Sequence, residues 1–396
     1  MPLRPDTLAL TALLALLTSL GPLSTDMYLP SLPMIARGFG SDTAGAQLTL
    51  SAFLVGFAAG QVFYGPVADR YGRKPVLLAG MALFIVASLA CAFASSIEML
   101  TGARFLQALG ASGPIVLARA VVRDLYEGAR AGKELSRMGT VIGVVPAAAP
   151  IAGGLLEAAF GWRSTFFVTT VLGLALAAVV VVGLPETLKR RSTEPLSVPA
   201  ILRGYGVLLE NSTYRLYLVT CALAYSGLFA FISGSSFVLQ QVYGLSEILF
   251  GFAFSFVVLG YITGTIIAQR VVGKRGIRGT VRLGVTCLAL GGIAMLAGAM
   301  AGPGTPFEIM LPMALYTCGI GFTLPQSMAG AMGPFPDRAG AASSFIGLCQ
   351  MSAAAVVGIG LGHALDVTPL ALPLVIAALG IAAFAVFALS KPPAAA

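Results

Sequence analysis

Long apolar runs alternate with short polar ones along the whole chain. Runs of about 20 apolar residues, each long enough to cross a hydrocarbon core of about 30 Å, are expected to be helices. They fall at roughly 8–29, 44–67, 76–96, 98–120, 136–158, 163–184, 214–240, 246–268, 281–301, 307–331, 341–363 and 369–389. Between Pro185 and Tyr214 the pattern lapses into a polar stretch with a short amphipathic piece at 201–209, which divides six spans from six. The pattern predicts an all-α polytopic membrane protein with twelve transmembrane helices. Its segments are an N-terminal six-helix bundle at 1–184, a cytoplasmic linker at 185–213 and a C-terminal six-helix bundle at 214–396.

Composition agrees. Of 396 residues 57% are hydrophobic and only 10% charged, with a mean hydropathy of +0.91, whereas a soluble domain carries about 25% charged residues. The net charge of +8 raises the question of nucleic acid, and the placement of the charge argues against it. With the N-terminus inside, all but four of the 24 basic residues lie in inward segments: Arg37 and Arg163 stand in outward loops, Arg104 and Arg119 inside the fourth span. This is the positive-inside pattern, and it puts both termini in the cytoplasm. The first apolar run is too long for a signal peptide and continues into Asp26-Met27-Tyr28-Leu29-Pro30, so it reads as a retained helix. Cys91, Cys221, Cys287, Cys318 and Cys349 all fall within spans without ligand spacing, which predicts small core residues and neither disulfides nor a metal site.

Chemistry is sparse, and a charge inside hydrocarbon is therefore informative: it costs about 2.5 to 3.5 kcal/mol even on the lenient insertion scale. Asp26, near the outer part of the first span, is the only acid that the pattern places securely within one, and Arg104 is the arginine about two turns into the fourth. A helix-end cap and a snorkelling side chain are the structural alternatives for the two. Gln107 shares a face with Arg104 through i, i+3 spacing. The fifth span carries Gly139, Gly143, Pro146, Pro150, Gly153 and Gly154, which line up small residues on one face; close helix packing with a proline kink gives the same pattern. Tyr28, Tyr225, Phe229, Gln326 and Gln350 are aromatic or polar residues within spans that suit an apolar cavity with a few polar contacts. Gln269-Arg270-Val271-Val272-Gly273-Lys274-Arg275 echoes Asp69-Arg70-Tyr71-Gly72-Arg73-Lys74 in the other half, which supports two parallel repeats.

The run from Gly65 to Pro75 sets Asp69, Arg70, Gly72, Arg73 and Lys74 between two spans and reads as a very short inward loop, with Gly72 and Pro75 as helix breakers. Its wording, G-x-x-x-D-R-x-G-R-K, resembles the loop between helices two and three of the major facilitator superfamily. Arg104 to Ala111 resembles that superfamily's R-x-x-Q-G-x-G-A motif, with Ala108 in place of the first glycine, and Gly139 to Gly154 resembles its antiporter motif, found more in exporters than in importers. Ser24-Thr25-Asp26-Met27-Tyr28-Leu29-Pro30, together with Arg119 to Tyr126, narrows the resemblance to the bicyclomycin and chloramphenicol resistance exporters among the twelve-helix drug:proton antiporters.

The resemblance implies the major facilitator fold and proton-coupled efflux of amphipathic drugs from a bacterial cytoplasmic membrane by alternating access. It implies no enzyme activity, no cofactor other than the coupling proton, and action as a monomer among membrane lipids. Asp26 would carry the proton and Arg104 would influence it. Gly65, Asp69, Arg70, Gly72, Arg73 and Asp124 would form an inner gate in which Arg73 bridges to Asp124. Some relatives carry a second acid earlier in the first helix; here none stands between Leu8 and Thr25, which places the weight on Asp26. Transport of a single defined metabolite is the alternative on the same fold.

Overall fold

The computed structural model describes residues 7–126, 128–188, 191, 198–302, 304–335 and 338–390. Of the basic residues expected on the inner side, Arg4, Lys189, Arg190 and Lys391 lie outside them. Every element among the described residues is helical. The first compact unit takes in 1–41 and 52–196, the second 42–51 and 197–396.

In the first unit, α1 (Leu8–Asp26) passes through a 3-10 turn at Leu29–Ser31 into α2 (Leu32–Phe39). There follow α3 (Thr43–Tyr71, which begins in the second unit), α4 (Arg73–Ala92), α5 (Ile97–Leu125), α6 (Gly128–Phe160) and α7 (Arg163–Gly183). Here α1 lies against α5, α6 and α7, and α4 against α5 and α7. The second unit holds α8 (Val198–Glu210), α9 (Ser212–Phe237), α10 (Glu247–Met300), α11 (Phe307–Met332), α12 (Ala339–Val367) and α13 (Ala371–Ala388), with α9 packed on α11, α12 and α13.

Helix starts follow local chemistry. The side chains of Thr7, Ser96, Asn211 and Ser246 each accept a hydrogen bond from the backbone N–H three residues on, satisfying donors that the first turn leaves open. Eleven helical stretches of the described residues are long and apolar enough to cross a membrane. One of them, α10, has 54 residues, or about 81 Å at 1.5 Å per residue, more than twice the hydrocarbon thickness. It breaks at Gly276, where φ is 65° and ψ 178°, into two limbs that match the spans expected at 246–268 and 281–301.

Three expectations are corrected. The loop from Gly65 to Pro75 contracts to one residue: Gly65 and Pro66 are inside α3, and Pro75 sits in the first turn of α4, where a missing N–H costs nothing. Helix α6 starts at Gly128, eight residues before the expected 136, because hydropathy registers membrane thickness and not the polar turns of a helix that project beyond it. Asp26 is not the one acid of the spans, since Glu157 lies inside the apolar stretch Gly143–Phe160, and both Glu134 and Glu157 are buried, 6% and 8% exposed against 7% for Asp26.

Candidate functional site

Arg104 is wholly buried, so the snorkelling alternative is excluded. Its Nη1 donates to the Ser24 carbonyl at 3.1 Å and to Gln107 Oε1 at 2.6 Å. Gln107 Nε2 in turn donates to Ser88 Oγ at 2.8 Å, and Ser88 Oγ to the Phe84 carbonyl at 2.7 Å. Three rings surround the guanidinium, with centroids at 4.3 Å for Phe53, 4.6 Å for Tyr28 and 5.8 Å for Phe166. Arg104 Nε and Nη2 make no hydrogen bond among the described residues. At about 0.5 to 2 kcal/mol for each cation–π contact, the three rings together match the insertion cost of the charge, about 2.5 to 3.5 kcal/mol. An aromatic cage therefore holds the cation where a counter-ion would otherwise be required.

Asp26 ends α1 two residues beyond the carbonyl that Arg104 grips. Its carboxylate makes no ion pair within 4.0 Å and no side-chain hydrogen bond among the described residues. A buried cation with three open N–H bonds, on Nε and Nη2, and a buried carboxylate without a partner among the described residues thus share the first unit and remain unpaired. Pairing would offset the burial of both charges. Left unpaired, the Asp26 charge is removed only by a proton.

Arg73, at the start of α4, has Nη1 2.6 Å from Asp69 and Nε 3.0 Å from Asp124, and Thr187 Oγ1 also donates to Asp124, at 3.1 Å. The bridge from Arg73 to Asp124 is the one that the sequence implied. Glu186, which no motif in the sequence marks, completes this cluster. Its Oε1 accepts from the backbone N–H of Arg73, Thr187 and Leu188 at 2.9, 3.0 and 3.0 Å, and its Oε2 from that of Lys74 at 3.2 Å. It thereby caps α4, whose own N-cap, Gly72, offers no side chain. Partial burial pushes the Glu186 carboxyl up, but the four backbone donors outweigh it and hold the group below its ordinary value of 4.5.

The stability that Glu186 contributes is accordingly complete above pH 4.5 and lost as pH falls through the lower folded value. Glu186→Gln should cost about 0.5 to 2 kcal/mol, as for lost helix caps, and flatten the acid limb of a melting-temperature profile. An unchanged limb would refute this role. Gly72 is also constrained, with φ at 109°, and a Cβ there would meet Glu186 Oε2 at 2.6 Å. Gly72→Ala should therefore destabilise by about 1 to 3 kcal/mol, read as a lowered melting temperature. Arg70, by contrast, lies over the ring of Tyr71 at 5.8 Å and joins no ion pair among the described residues.

The other sequence candidates divide. Tyr28 and Gln107 are fully buried and belong to the Arg104 cage, and Phe229 is 1% exposed and wedged beside Gly358; packing, not an open cavity wall, is where these three stand. Tyr225, Gln326 and Gln350 are half-buried on α9, α11 and α12 of the second unit. Pro146 and Pro150 lie within an unbroken α6. Small residues do not all pack: a Cβ at Gly153 would strike the Met27 carbonyl, whereas one at Gly143 would meet nothing within 4 Å. Gly154 is buried, Gly65 has open space around it, and the surroundings of Gly139 lie outside the described residues. Phe53, Phe166 and Ser88 were not legible as site residues, because among many apolar and small residues only tertiary contact singles them out.

The Major Facilitator Superfamily family model matches residues 14–358. An uncharacterized MFS-type transporter of Bacillus subtilis is 34% identical over 394 residues, covering 98% of this chain and 97% of the relative. A bicyclomycin resistance protein homolog of Haemophilus influenzae is 31% identical over 352 residues, covering 87% and 86%. The solved structure of a point mutant of the nucleoside transporter NupG superposes with a TM-score of 0.79 at 14% identity, over 97% of this chain and 99% of that one, a likeness of fold. With the family model matched over well more than half of the chain and a relative 34% identical over nearly all of it, the chain belongs to the Major Facilitator Superfamily, a family of membrane transporters.

Proposed function

We propose that this protein exports amphipathic drugs of the bicyclomycin and phenicol type across the bacterial cytoplasmic membrane in exchange for protons. The observation that carries the reading is the unpaired state of Asp26 beside an Arg104 held by rings. A carboxylate kept from its natural counter-ion is available to two competitors, a proton and a drug, and such competition is what antiport requires. The relative named for bicyclomycin resistance supplies the substrate class.

Each unit charge moving inward down 100 mV yields about 2.3 kcal/mol, and each pH unit adds about 1.4 kcal/mol. One proton can thus sustain a useful gradient of a neutral drug. The cluster of Asp69, Arg73 and Asp124, with Gly65, Arg70 and Gly72, serves as the inner gate. Arg73 is buried but Asp69 is about half exposed, so solvent screens their pair and it contributes about 1 kcal/mol or less, a strength suited to a contact made and broken in each cycle. Asp26 and Arg104 carry proton coupling, the motif from Gly139 to Gly154 gives α6 its antiporter character, and Tyr225, Gln326 and Gln350 line the drug path. The protein works as a monomer with both termini inside.

The test is a drug-susceptibility panel in efflux-deficient bacteria. Expression should raise resistance to several chemically unlike amphipathic drugs, and a protonophore should restore their accumulation. Protection against a single compound, or efflux indifferent to the protonophore, would contradict the reading.

A further inference from the structure

The buried acids among the described residues are Asp26, Glu134 and Glu157: Asp26 ends α1, and the other two lie on α6, which packs in a seam along α1 and the 3-10 turn that follows it. Glu134, at the inner end of α6, accepts from Thr11 Oγ1 at 2.7 Å and is ion-paired with Arg137 at 2.7 Å, a fixed structural anion. Glu157 differs. It stands inside the membrane-crossing stretch Gly143–Phe160, one turn from a helix end that is open at Phe160, 77% exposed, and it accepts a short hydrogen bond of 2.6 Å from Ser31 Oγ.

The seam brings it close to Asp26. At Gly153 the two chain segments touch so closely that a Cβ would strike the Met27 carbonyl, and Met27 follows Asp26 directly. From that contact, Glu157 lies four residues outward on α6, and Ser31 four residues outward of Met27. Four helical residues rise about 6 Å. Glu157 is thus the next carboxylate after Asp26 in the direction of the outer surface. The charged groups on the elements packed around this end are Asp26 on α1, Arg37 on α2, Glu98 and Arg104 on α5, and Arg163 on α7; Glu98 is exposed in the first turn of its helix.

We infer that Glu157 is a second proton-binding site, the carboxylate that takes up a proton from outside and delivers it inward to Asp26. The inference rests on the proton-coupled reading of Asp26. An arriving proton converts the Glu157 carboxylate to the acid. Its transfer to the Asp26 carboxylate leaves Asp26 neutral and restores Glu157 to the anion that accepts from Ser31. No proton is left over, and Glu157 is ready for the next cycle. Asp26 meets the drug in this scheme, and Glu157 does not.

The test is pH-step-driven transport of a fluorescent drug in proteoliposomes, alongside drug affinity of the purified protein. Glu157→Gln should slow transport about a hundredfold, the scale of a positioned proton-transfer group, and make the rate insensitive to pH on the outer face, while drug affinity stays at the wild-type value. Glu157→Asp should return part of the rate, which a purely structural carboxylate would not do at the same melting temperature. Wild-type transport in Glu157→Gln, or a loss of rate matched by a loss of drug affinity, or no recovery in Glu157→Asp, would overturn the inference. Asp26→Asn separates the two levels. If that variant still transports on a pH step, the coupling reading itself fails; if it is inert while Glu157→Gln is normal, only the outer site fails.

Discussion

Asp26→Asn is expected to reduce pH-gradient-driven drug efflux to background while leaving the protein folded and able to bind drug. The amide keeps the shape of the carboxyl at the end of α1 and cannot titrate. Because the carboxylate makes no hydrogen bond or ion pair among the described residues, the substitution orphans no partner, and the large costs of a broken buried network do not arise. Downhill drug exchange with no pH gradient should persist. Cells carrying Asp26→Asn should be as susceptible as cells without the transporter, at equal membrane expression; full resistance in them would remove Asp26 from the coupling step.

The second large effect is expected at Arg104. Arg104→Lys keeps the charge but not the planar fork, which here bonds two acceptors with one nitrogen while three rings lie against the group. Hydrogen bonds to charged groups contribute about 1.5 to 3 kcal/mol, so the loss of either should slow transport roughly tenfold to a hundredfold. A compact ammonium, released from the cage, is free to move toward Asp26 and pair with it. Drug binding should then lose its dependence on pH as well as transport its rate. Wild-type transport in Arg104→Lys would show that charge alone suffices and that the cage has no part in keeping the two groups apart.

Much of this site could be read in the sequence because membranes make charge rare. Asp26 and Arg104 stood out as ionisable residues in apolar runs, and the bridge from Arg73 to Asp124 followed from the motif around Gly72. The turn at Gly72 was legible for a backbone reason, since a positive φ there suits glycine. What could not be read depended on side chains meeting across helices. Glu157 lies inside the expected span 136–158, yet an acid so near the end of a span has the same local pattern whether it faces headgroups or, as here, Ser31. Glu186 falls in the polar linker, where nothing local marks it as the cap of a helix 113 residues away. Phe53 and Phe166 are two of 23 phenylalanines, and only packing against Arg104 distinguishes them. Helix extents failed for a related reason: the last turn of α3 and the first turns of α6 are rich in polar residues, and apolar length does not report them.

The central claim is that proton and drug compete for Asp26 while the aromatic cage holds Arg104 away from it. Proton release on drug binding tests this most directly, measured with a pH indicator in weakly buffered solution on purified wild-type protein and Asp26→Asn. The account predicts that a saturating drug releases a proton from the wild-type protein and none from Asp26→Asn at comparable drug occupancy. Equal proton release from the two proteins would contradict it.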